Sequence, residues 1–421
     1  MGPAVRGPTL CQLVPDDFWN EGVTFAVLNT RAWVAQERML SPRTIHFGKK
    51  QIFWECRELN ACELFPNGPP TRLLRNQHHN FDVGYKHLAV DLASDELLQN
   101  KMAAVALTPN SQGHSDQIIK EGLAIWGRVI EVYTTCKLTQ DTDKLVAISA
   151  VAKKISPLCR SSYLAGLWRR SLPYQLLWTT RNHDSPQAPF RPRSYCAPTW
   201  SWASTTIPCK SFAPVDTRRE NFMIKILQAD VKTKGDEMGT VLGGHLKLRC
   251  WLESVPSHSS GGITEYSDFD AELLTFTDSR GQSVTIAINV DDNTLPRTDN
   301  WYLMPVVDEP EIASSKRIFG PENRMIHGLI LLQTEERDVF CRAGTFSAEK
   351  PHTEHFMVPK YVDGVGSKDT EEYERVDRAA RFRDLEIRRD SYFSLEYRIL
   401  EGIVQDADIQ RGWVERVIRI V

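Results

Sequence analysis

The sequence lacks the features by which several classes of protein are recognised. No apolar run approaches the roughly 20 residues that a helix needs to cross a bilayer, so no membrane-spanning segment is expected. It contains neither a G-x-S-x-G elbow for a serine nucleophile nor a G-x-x-x-x-G-K phosphate loop. No unit of about 20 to 50 residues repeats. These absences exclude elbow-type hydrolases, P-loop enzymes and repeat proteins.

The sequence also has no large excess of positive or negative charge, because 51 basic and 54 acidic residues leave a net charge of −3. Such a chain has no global attraction to nucleic acid or to acidic membranes. Its basic clusters are mostly flanked by acids or prolines, which is typical of solvated faces. We therefore expect neither a nucleic-acid partner nor a membrane partner.

Metal-binding patterns are absent as well. The nine cysteines are scattered without a C-x-x-C pair, which is typical of reduced thiols in the cytosol or nucleus. His352 and His355 have no third ligand at a suitable spacing, and this favours a solvated loop over a metal site. The sequence thus predicts no metal, no cofactor and a cytoplasmic location.

What is present is an informative stretch from Arg31 to Cys56, which reads RAWVAQERMLSPRTIHFGKKQIFWEC. Helical spacing places Trp33 and Leu40 on one face, with Gln36 and Glu37 to either side of them. We therefore expect a short helix that carries an amide and a carboxylate beside its buried stripe.

A buried carboxylate at Glu37 needs a partner, since an unpaired buried charge costs several kcal/mol. Arg38 or Arg43 is near enough in sequence to supply it. The pair Ser41-Pro42 ends the helix, because proline disfavours the α conformation of the residue before it. Alternating residues on both sides of a glycine-lysine turn then predict a β-hairpin over 45–54.

This stretch resembles the C-terminal part of the fungal heterokaryon incompatibility (HET) domain, whose members commonly read R-x-W-x-x-Q-E-R-x-L-S-x-R before a strand ending in W-E-C. The matching positions are Arg31, Trp33, Gln36, Glu37, Arg38, Leu40, Ser41, Arg43, Trp54, Glu55 and Cys56. Segments 163–168 and 197–204 are similar to the region that follows HET domains. Because only thirty residues precede Arg31, we expect a HET domain that lacks its N-terminal part.

The resemblance implies a regulator of fungal non-self recognition and programmed cell death that acts through contacts with other proteins. A likeness between HET and TIR domains implies an alternative, a NAD-cleaving enzyme in which Glu37 is catalytic and a partner chain supplies the missing half. We favour the first interpretation, in which there is no catalytic residue and Glu37 is structural. Glu55 is expected to face away from the core or toward an arginine.

A third possibility is a ligand-binding β module that displays Trp200 and Trp202 on one side of an extended segment. Two tryptophans so placed can stack on a sugar or a base. More often such a pair is a packed anchor, and this proline-flanked segment must also join the helical part of the chain to the β part. We therefore expect both rings in the core.

The predicted fold class is α+β, with a HET remnant of a helix plus a β-hairpin, a small helical subdomain and an antiparallel β-rich unit built as a sandwich or barrel. The predicted regions are 1–65 for the HET remnant, 66–205 for the helical region and 206–421 for the β-rich region, with a charged helix near 368–390. Helices are predicted over 118–133, 141–155 and 163–170 and from Pro173. Strands are predicted at 222–231, 246–252, 284–290, 301–307, 326–333, 337–346, 391–404 and 413–421.

Overall fold

The computed structural model describes residues 17–70, 73, 111–180, 190–211, 221–255, 263–266, 271–278, 281–292, 301–310, 324–349, 355–356 and 413–421. The chain forms two compact units, unit 1 (Met1–Ser111 with Thr135–Thr139) and unit 2 (Gln112–Thr134 with Gln140–Val421). Both helices and strands occur, so the α+β class is confirmed. The three predicted regions stay a prediction, and the segments 368–390 and 391–404 lie outside the described residues.

Unit 1 is a short helix on a three-stranded antiparallel sheet. A π-helical turn comes first, and the spatial order of the strands is β1-β2-β3. The elements are the turn Asn20–Thr24, α1 (Ala32–Leu40), β1 (Arg43–Phe47), β2 (Ile52–Cys56) and β3 (Asn60–Cys62). The helix and hairpin that the sequence predicts are therefore confirmed.

One face of this sheet carries the core of unit 1. Phe53 of β2 packs between Phe18, with ring centroids 6.4 Å apart, and Trp19, with centroids 5.6 Å apart. A Cβ at Gly22 would lie 2.2 Å from the Phe53 ring, so only glycine lets the π-helical turn approach this closely. Val23 completes the same cluster.

The buried face of α1 differs from the one predicted. Ala32, Ala35 and Met39 are buried, whereas Trp33 is 38% exposed and Glu37 is exposed. The helix is thus rotated by about one residue, or 100°, from the expected orientation. The physical reason is tertiary: the two small alanines allow close packing, and an ion pair to β2 described below fixes the rotation.

The helical part of unit 2 confirms some predictions and corrects others. Its elements are α2 (Ser111–Tyr133), two 3₁₀ turns (Asp141–Asp143 and Val146–Ile148), α3 (Ser149–Cys159) and α4 (Leu172–Gln175). Pro173 lies in the first turn of α4, as predicted. The predicted end of α3 before Pro157 is wrong, because a proline in the last turn removes only one hydrogen bond and the helix continues to Cys159.

The helix predicted over 163–170 is also wrong. This segment is a hairpin of β4 (Tyr163–Leu164) and β5 (Leu167–Trp168). Ala165 and Gly166 between the strands have φ of 47° and 98°. Two consecutive positive φ values are the signature of a two-residue hairpin turn, and they override the helical pattern of the flanking side chains.

The β part of unit 2 is a nine-stranded sheet, and a separate short pair of strands precedes it, formed by β6 (Thr179–Thr180) and β7 (Cys209–Lys210). The sheet strands are β8 (Lys225–Thr233), β9 (Val241–Ser254), β10 (Ile263–Tyr266), β11 (Ala271–Thr277), β12 (Ser283–Val290), β13 (Trp301–Pro310), β14 (Arg324–Gln333), β15 (Val339–Ala348) and β16 (Val414–Ile420). Five of them, β9, β13, β14, β15 and β16, close into a barrel through parallel pairing of β15 with β16.

Most predicted strands are confirmed, but the strand predicted over 246–252 begins earlier, at Val241. Gly243 and Gly244 lie inside β9, and Gly244 pairs with Val231. A Cβ at Gly244 would lie 2.8 Å from the Asp230 carbonyl oxygen, so the glycine permits close pairing of the strands. Within the described ranges, no helix is both long and apolar enough to cross a membrane.

Candidate functional site

The stretch from Arg31 to Cys56 in unit 1 contains a buried ion pair between α1 and β2. Arg38 Nε donates to Glu55 Oε2 at 2.8 Å, and Arg38 Nη2 donates to Glu55 Oε1 at 2.9 Å. Each side chain is only 2% exposed. This two-bond geometry is the strongest arrangement that a guanidinium and a carboxylate adopt, and it joins the helix to the sheet.

A histidine and an asparagine extend this pair. Asn29 Nδ2 donates to the Val23 carbonyl oxygen at 2.7 Å and lies 3.3 Å from His46 Nδ1. Because that amide nitrogen is a donor, His46 Nδ1 accepts and its proton lies on Nε2. His46 Nε2 therefore donates to Glu55 Oε2, at 3.0 Å.

The electrostatics of the cluster keep Glu55 ionised. Burial raises the pKa of Glu55, but the hydrogen bond from His46 and the charge of Arg38 outweigh burial and lower the pKa to about 2. Both carboxylate oxygens already accept hydrogen bonds. A carboxylate in this state is a poor general base, and its role is to stabilise the packing of α1 on the sheet.

The predicted site residues are thus brought together only in part. The pairing predicted for Glu37 is wrong, since Glu37 is exposed and the partner of Arg38 is Glu55. The expectation that Glu55 faces an arginine is confirmed. Of the other motif side chains, Arg31, Trp33 and Arg43 are exposed, and Gln36, Ser41, Trp54 and Cys56 are half-buried.

A sequence signal for the cluster did exist. His46 and Glu55 occupy the same face of the hairpin because their strand partners are Phe53 and Thr44, respectively. The register that a short glycine-lysine turn imposes places a histidine and a carboxylate together on the side that also carries Phe53. Only the rotation of α1 was needed to add Arg38.

Trp200 and Trp202 are fully buried in unit 2, so the predicted packed anchor is confirmed and a surface display is wrong. Trp202 Nε1 donates to the Gly166 carbonyl oxygen at 2.8 Å, and the Trp200 carbonyl oxygen accepts from Trp178 Nε1 at 2.9 Å. The segment is not extended at this point, because Trp202–Ser204 forms a 3₁₀ turn.

The same segment joins the helical part of unit 2 to the barrel, as predicted. Thr199 N donates to the Val421 carbonyl oxygen at 3.0 Å, beyond the end of β16. Thr199 Oγ1 accepts from Arg342 N of β15 at 3.0 Å. These hydrogen bonds tie one short stretch to two barrel strands.

A second buried ion pair, absent from the predictions, lies in unit 2. Arg342 donates to Asp291 through Nε at 2.8 Å and Nη2 at 3.1 Å, and both side chains are fully buried. The guanidinium carbon lies 3.5 Å from the centroid of the Trp178 ring. Arg342 also donates to the carbonyl oxygens of Leu176 and Trp178, so this one side chain holds the helical part of unit 2 to the barrel.

His355 corrects the prediction of a solvated loop, while His352 lies outside the described residues. The His355 side chain is buried, with Nε2 2.5 Å from Glu253 Oε2 and Nδ1 3.4 Å from Asp278 Oδ2. Its two ring nitrogens face different carboxylates, an arrangement that orients the ring instead of converging on a cation. Within the part of the chain that the structure describes, no group of three histidine, cysteine or acidic side chains is placed to hold a metal.

The second face of the unit 1 sheet is the feature that points to function. We call the side chains of Ile45, Phe47, Ile52 and Trp54 the open sheet face, because pairing of Ile45 with Trp54 and of Phe47 with Ile52 places all four on one side. Phe47 is 82% exposed and Ile45 is 52% exposed. Apolar side chains that cluster in solvent mark interaction surfaces.

Unit 1 as a whole is rich in such side chains. Eight of the eleven large exposed hydrophobic residues in the described ranges belong to it, although unit 2 contributes most of the described chain. The eight are Phe25, Val27, Leu28, Trp33, Ile45, Phe47, Ile52 and Leu59. The exposed apolar surface of the described residues is therefore concentrated on unit 1. No protein-family profile, curated protein or solved structure matches the chain.

Proposed function

We propose that this chain is a HET-like regulator of fungal non-self recognition and cell death that acts by binding other proteins through unit 1. The open sheet face carries this proposal, because a sheet that is covered by a core on one side and apolar in solvent on the other is incomplete without a partner. The sequence motif of Arg31 to Cys56 supplies the likeness to HET domains.

The contacts of the motif residues support binding over catalysis. Arg38 and Glu55 satisfy each other and hold α1 on the sheet, so the motif builds a rigid platform. Glu37, the carboxylate that the enzymatic alternative requires, is exposed on α1 and outside the buried cluster. The platform in turn presents Ile45 and Phe47 to solvent.

The proposal is tested by expressing the chain in a fungal host and measuring growth and viability. Phe47→Ser removes the most exposed ring of the open sheet face, and it should restore growth that the unaltered chain suppresses. Leu242→Ser is the matched control, because Leu242 is an exposed apolar residue of unit 2 at 60%. Equal growth of the two variants would contradict the proposal.

The enzymatic alternative has a separate test. Purified chain incubated with NAD should show no turnover, and Glu37→Ala should leave the baseline unchanged. NAD cleavage that disappears in Glu37→Ala would overturn the binding role in favour of the alternative.

A further inference from the structure

The outer edge of β1 has a regular set of backbone groups directed away from the sheet. The backbone N–H and C=O groups of Ile52 point toward β3, because the Ile52 carbonyl oxygen accepts a hydrogen bond from Glu63 N at 3.2 Å. Its cross-strand partner Phe47 therefore belongs to a pair that is not hydrogen-bonded within the β1–β2 ladder. By alternation, the N–H and C=O groups of Arg43, Ile45 and Phe47 point to the outer edge.

In the described part of the sheet, β1 pairs on one side only. A further strand placed along this edge would meet three donors and three acceptors at alternate residues, which is the geometry of β-strand addition. Side chains of that strand opposite Ile45 and Phe47 would continue the open sheet face. The edge therefore favours an occupant with apolar residues at alternate positions.

Positive charges lie at both ends of this edge. Arg43 is exposed at the start of β1, and Lys49 and Lys50 are exposed in the turn that follows it. A second copy of β1 added antiparallel would place these cations near those of its twin, which is unfavourable. A strand with acidic residues at its ends is complementary to the same charges.

We propose that β1 receives an extended segment of a partner protein, with apolar residues at alternate positions and acidic residues at both ends. This inference rests on the proposed function, because it names the chemistry of the partner that the open sheet face binds. Backbone pairing supplies the docking mode, and Arg43, Lys49 and Lys50 supply its charge preference.

The first test is a binding titration with the full chain and the labelled peptide Glu-Glu-Val-Thr-Val-Thr-Val-Glu-Glu, followed by fluorescence anisotropy. We expect saturable binding that weakens as salt is added. A peptide with lysine in place of every glutamate should bind at least about tenfold more weakly. Absence of binding by the acidic peptide, or equal binding of the two peptides, would overturn the proposal.

The second test separates backbone pairing from side-chain contact. Ile45→Pro removes an edge-facing N–H but no hydrogen bond to β2, whereas Ile45→Ala keeps that N–H and removes most of the side chain. We expect Ile45→Pro to weaken peptide binding at least about tenfold relative to Ile45→Ala. Equal affinities of the two folded variants would refute strand addition.

Should Ile45→Pro fail to fold, as judged by its melting temperature, the peptide supplies the same test on the unaltered chain. N-methylation of two consecutive central amides blocks one donor on each edge of the peptide, and it should abolish binding. Unchanged binding of the methylated peptide would overturn backbone pairing without any change to the protein.

Two further measurements distinguish the possible outcomes. A dimer in sedimentation that Ile45→Pro dissociates would identify a second copy as the occupant and overturn the acidic partner. If Phe47→Ser abolishes the growth response while no peptide binds, the proposed function stands and strand addition falls. If the acidic peptide binds but growth is indifferent to Phe47→Ser, the proposed function falls and strand addition stands.

Discussion

From the ion pair between Arg38 and Glu55 we predict that unit 1 loses stability when Glu55 is changed. Glu55→Gln keeps the shape of the side chain but removes the carboxylate charge that faces the buried Arg38 guanidinium. Since each side chain is only 2% exposed, removing one partner should destabilise the packing of α1 on the sheet by about 3 to 5 kcal/mol. Glu37→Gln, one position before Arg38 and exposed, should change stability by less than about 0.5 kcal/mol.

Amide hydrogen exchange measured by mass spectrometry resolves this effect. Because about 1.4 kcal/mol corresponds to a tenfold change in an equilibrium constant, exchange in a peptide covering 43–56 should accelerate roughly 100- to 4,000-fold in Glu55→Gln. Exchange in β9 of unit 2 serves as an internal reference. Unchanged protection in Glu55→Gln, or equal acceleration in Glu37→Gln, would refute the assignment of Glu55 as the buried partner.

Because of the Glu55 carboxylate, we also predict that the stability of unit 1 depends on pH. The pKa of Glu55 is lowered from 4.5 to about 2 in the folded chain, so the stabilisation is fully present above pH 4.5 and is lost as the pH falls toward 2. A shift of this size corresponds to about 3 kcal/mol. Protection of 43–56 should therefore decline over this range in the unaltered chain and much less in Glu55→Gln. A decline of equal size in both would contradict the linkage to Glu55.

Three predictions concern other sites. Arg342→Lys should lower the free energy of unfolding in urea by at least about 2 kcal/mol, since a lysine ammonium cannot reproduce the paired hydrogen bonds to Asp291 or the stacking on the Trp178 ring. An unchanged urea midpoint would contradict this prediction. Gly166→Ala should lower the free energy of unfolding by about 2 to 4 kcal/mol, because the added Cβ would lie 2.6 Å from the indole nitrogen of Trp202. Gly235→Ala adds only the strain of a positive φ, about 1 kcal/mol, so equal melting temperatures of the two variants would refute the contrast. Burial raises the pKa of Cys56, but hydrogen bonds from its own turn outweigh burial and lower the pKa below its usual value, whereas burial raises the pKa of Cys209 to about 12. Iodoacetamide at pH 8 should therefore modify Cys56 before Cys209, and the reverse order would be inconsistent with these environments.

The sequence predicts the elements of unit 1 well because their signals are local. Ser41-Pro42 ends α1, and alternation around the glycine-lysine turn gives the β1–β2 register. The rotation of α1 was mispredicted because an amphipathic wheel assumes that tryptophan is buried and arginine is not. Here the strand carboxylate Glu55 draws Arg38 inward, and Trp33 is left at the surface.

The buried ion pairs of unit 2 are beyond such reasoning for a different reason. Arg342 and Asp291 are 51 residues apart, and His355 and Glu253 are 102 residues apart. Nothing in the local pattern of either residue identifies its partner, because only the tertiary fold brings the partners together. By contrast, the burial of Trp200 is predicted locally, because the proline-flanked segment that carries it has to join the helical part of the chain to the β part.

The open sheet face was likewise hidden in the sequence. Ile45 and Phe47 alternate with His46 in the pattern of a half-buried strand, and that pattern predicts apolar side chains inside. In the structure β1 instead turns His46 toward the buried side, where His46 donates a hydrogen bond to Glu55 and Phe53 fills the neighbouring core. The apolar pair is consequently turned toward solvent.

The most direct measurement of the central claim is growth of a fungal host that expresses the chain with Phe47→Ser or with Leu242→Ser. A binding role for the open sheet face predicts that the first variant grows freely and the second is arrested like the unaltered chain. Arrest that persists in Phe47→Ser, with the folded variant present at normal abundance, would show that this surface does not carry the activity.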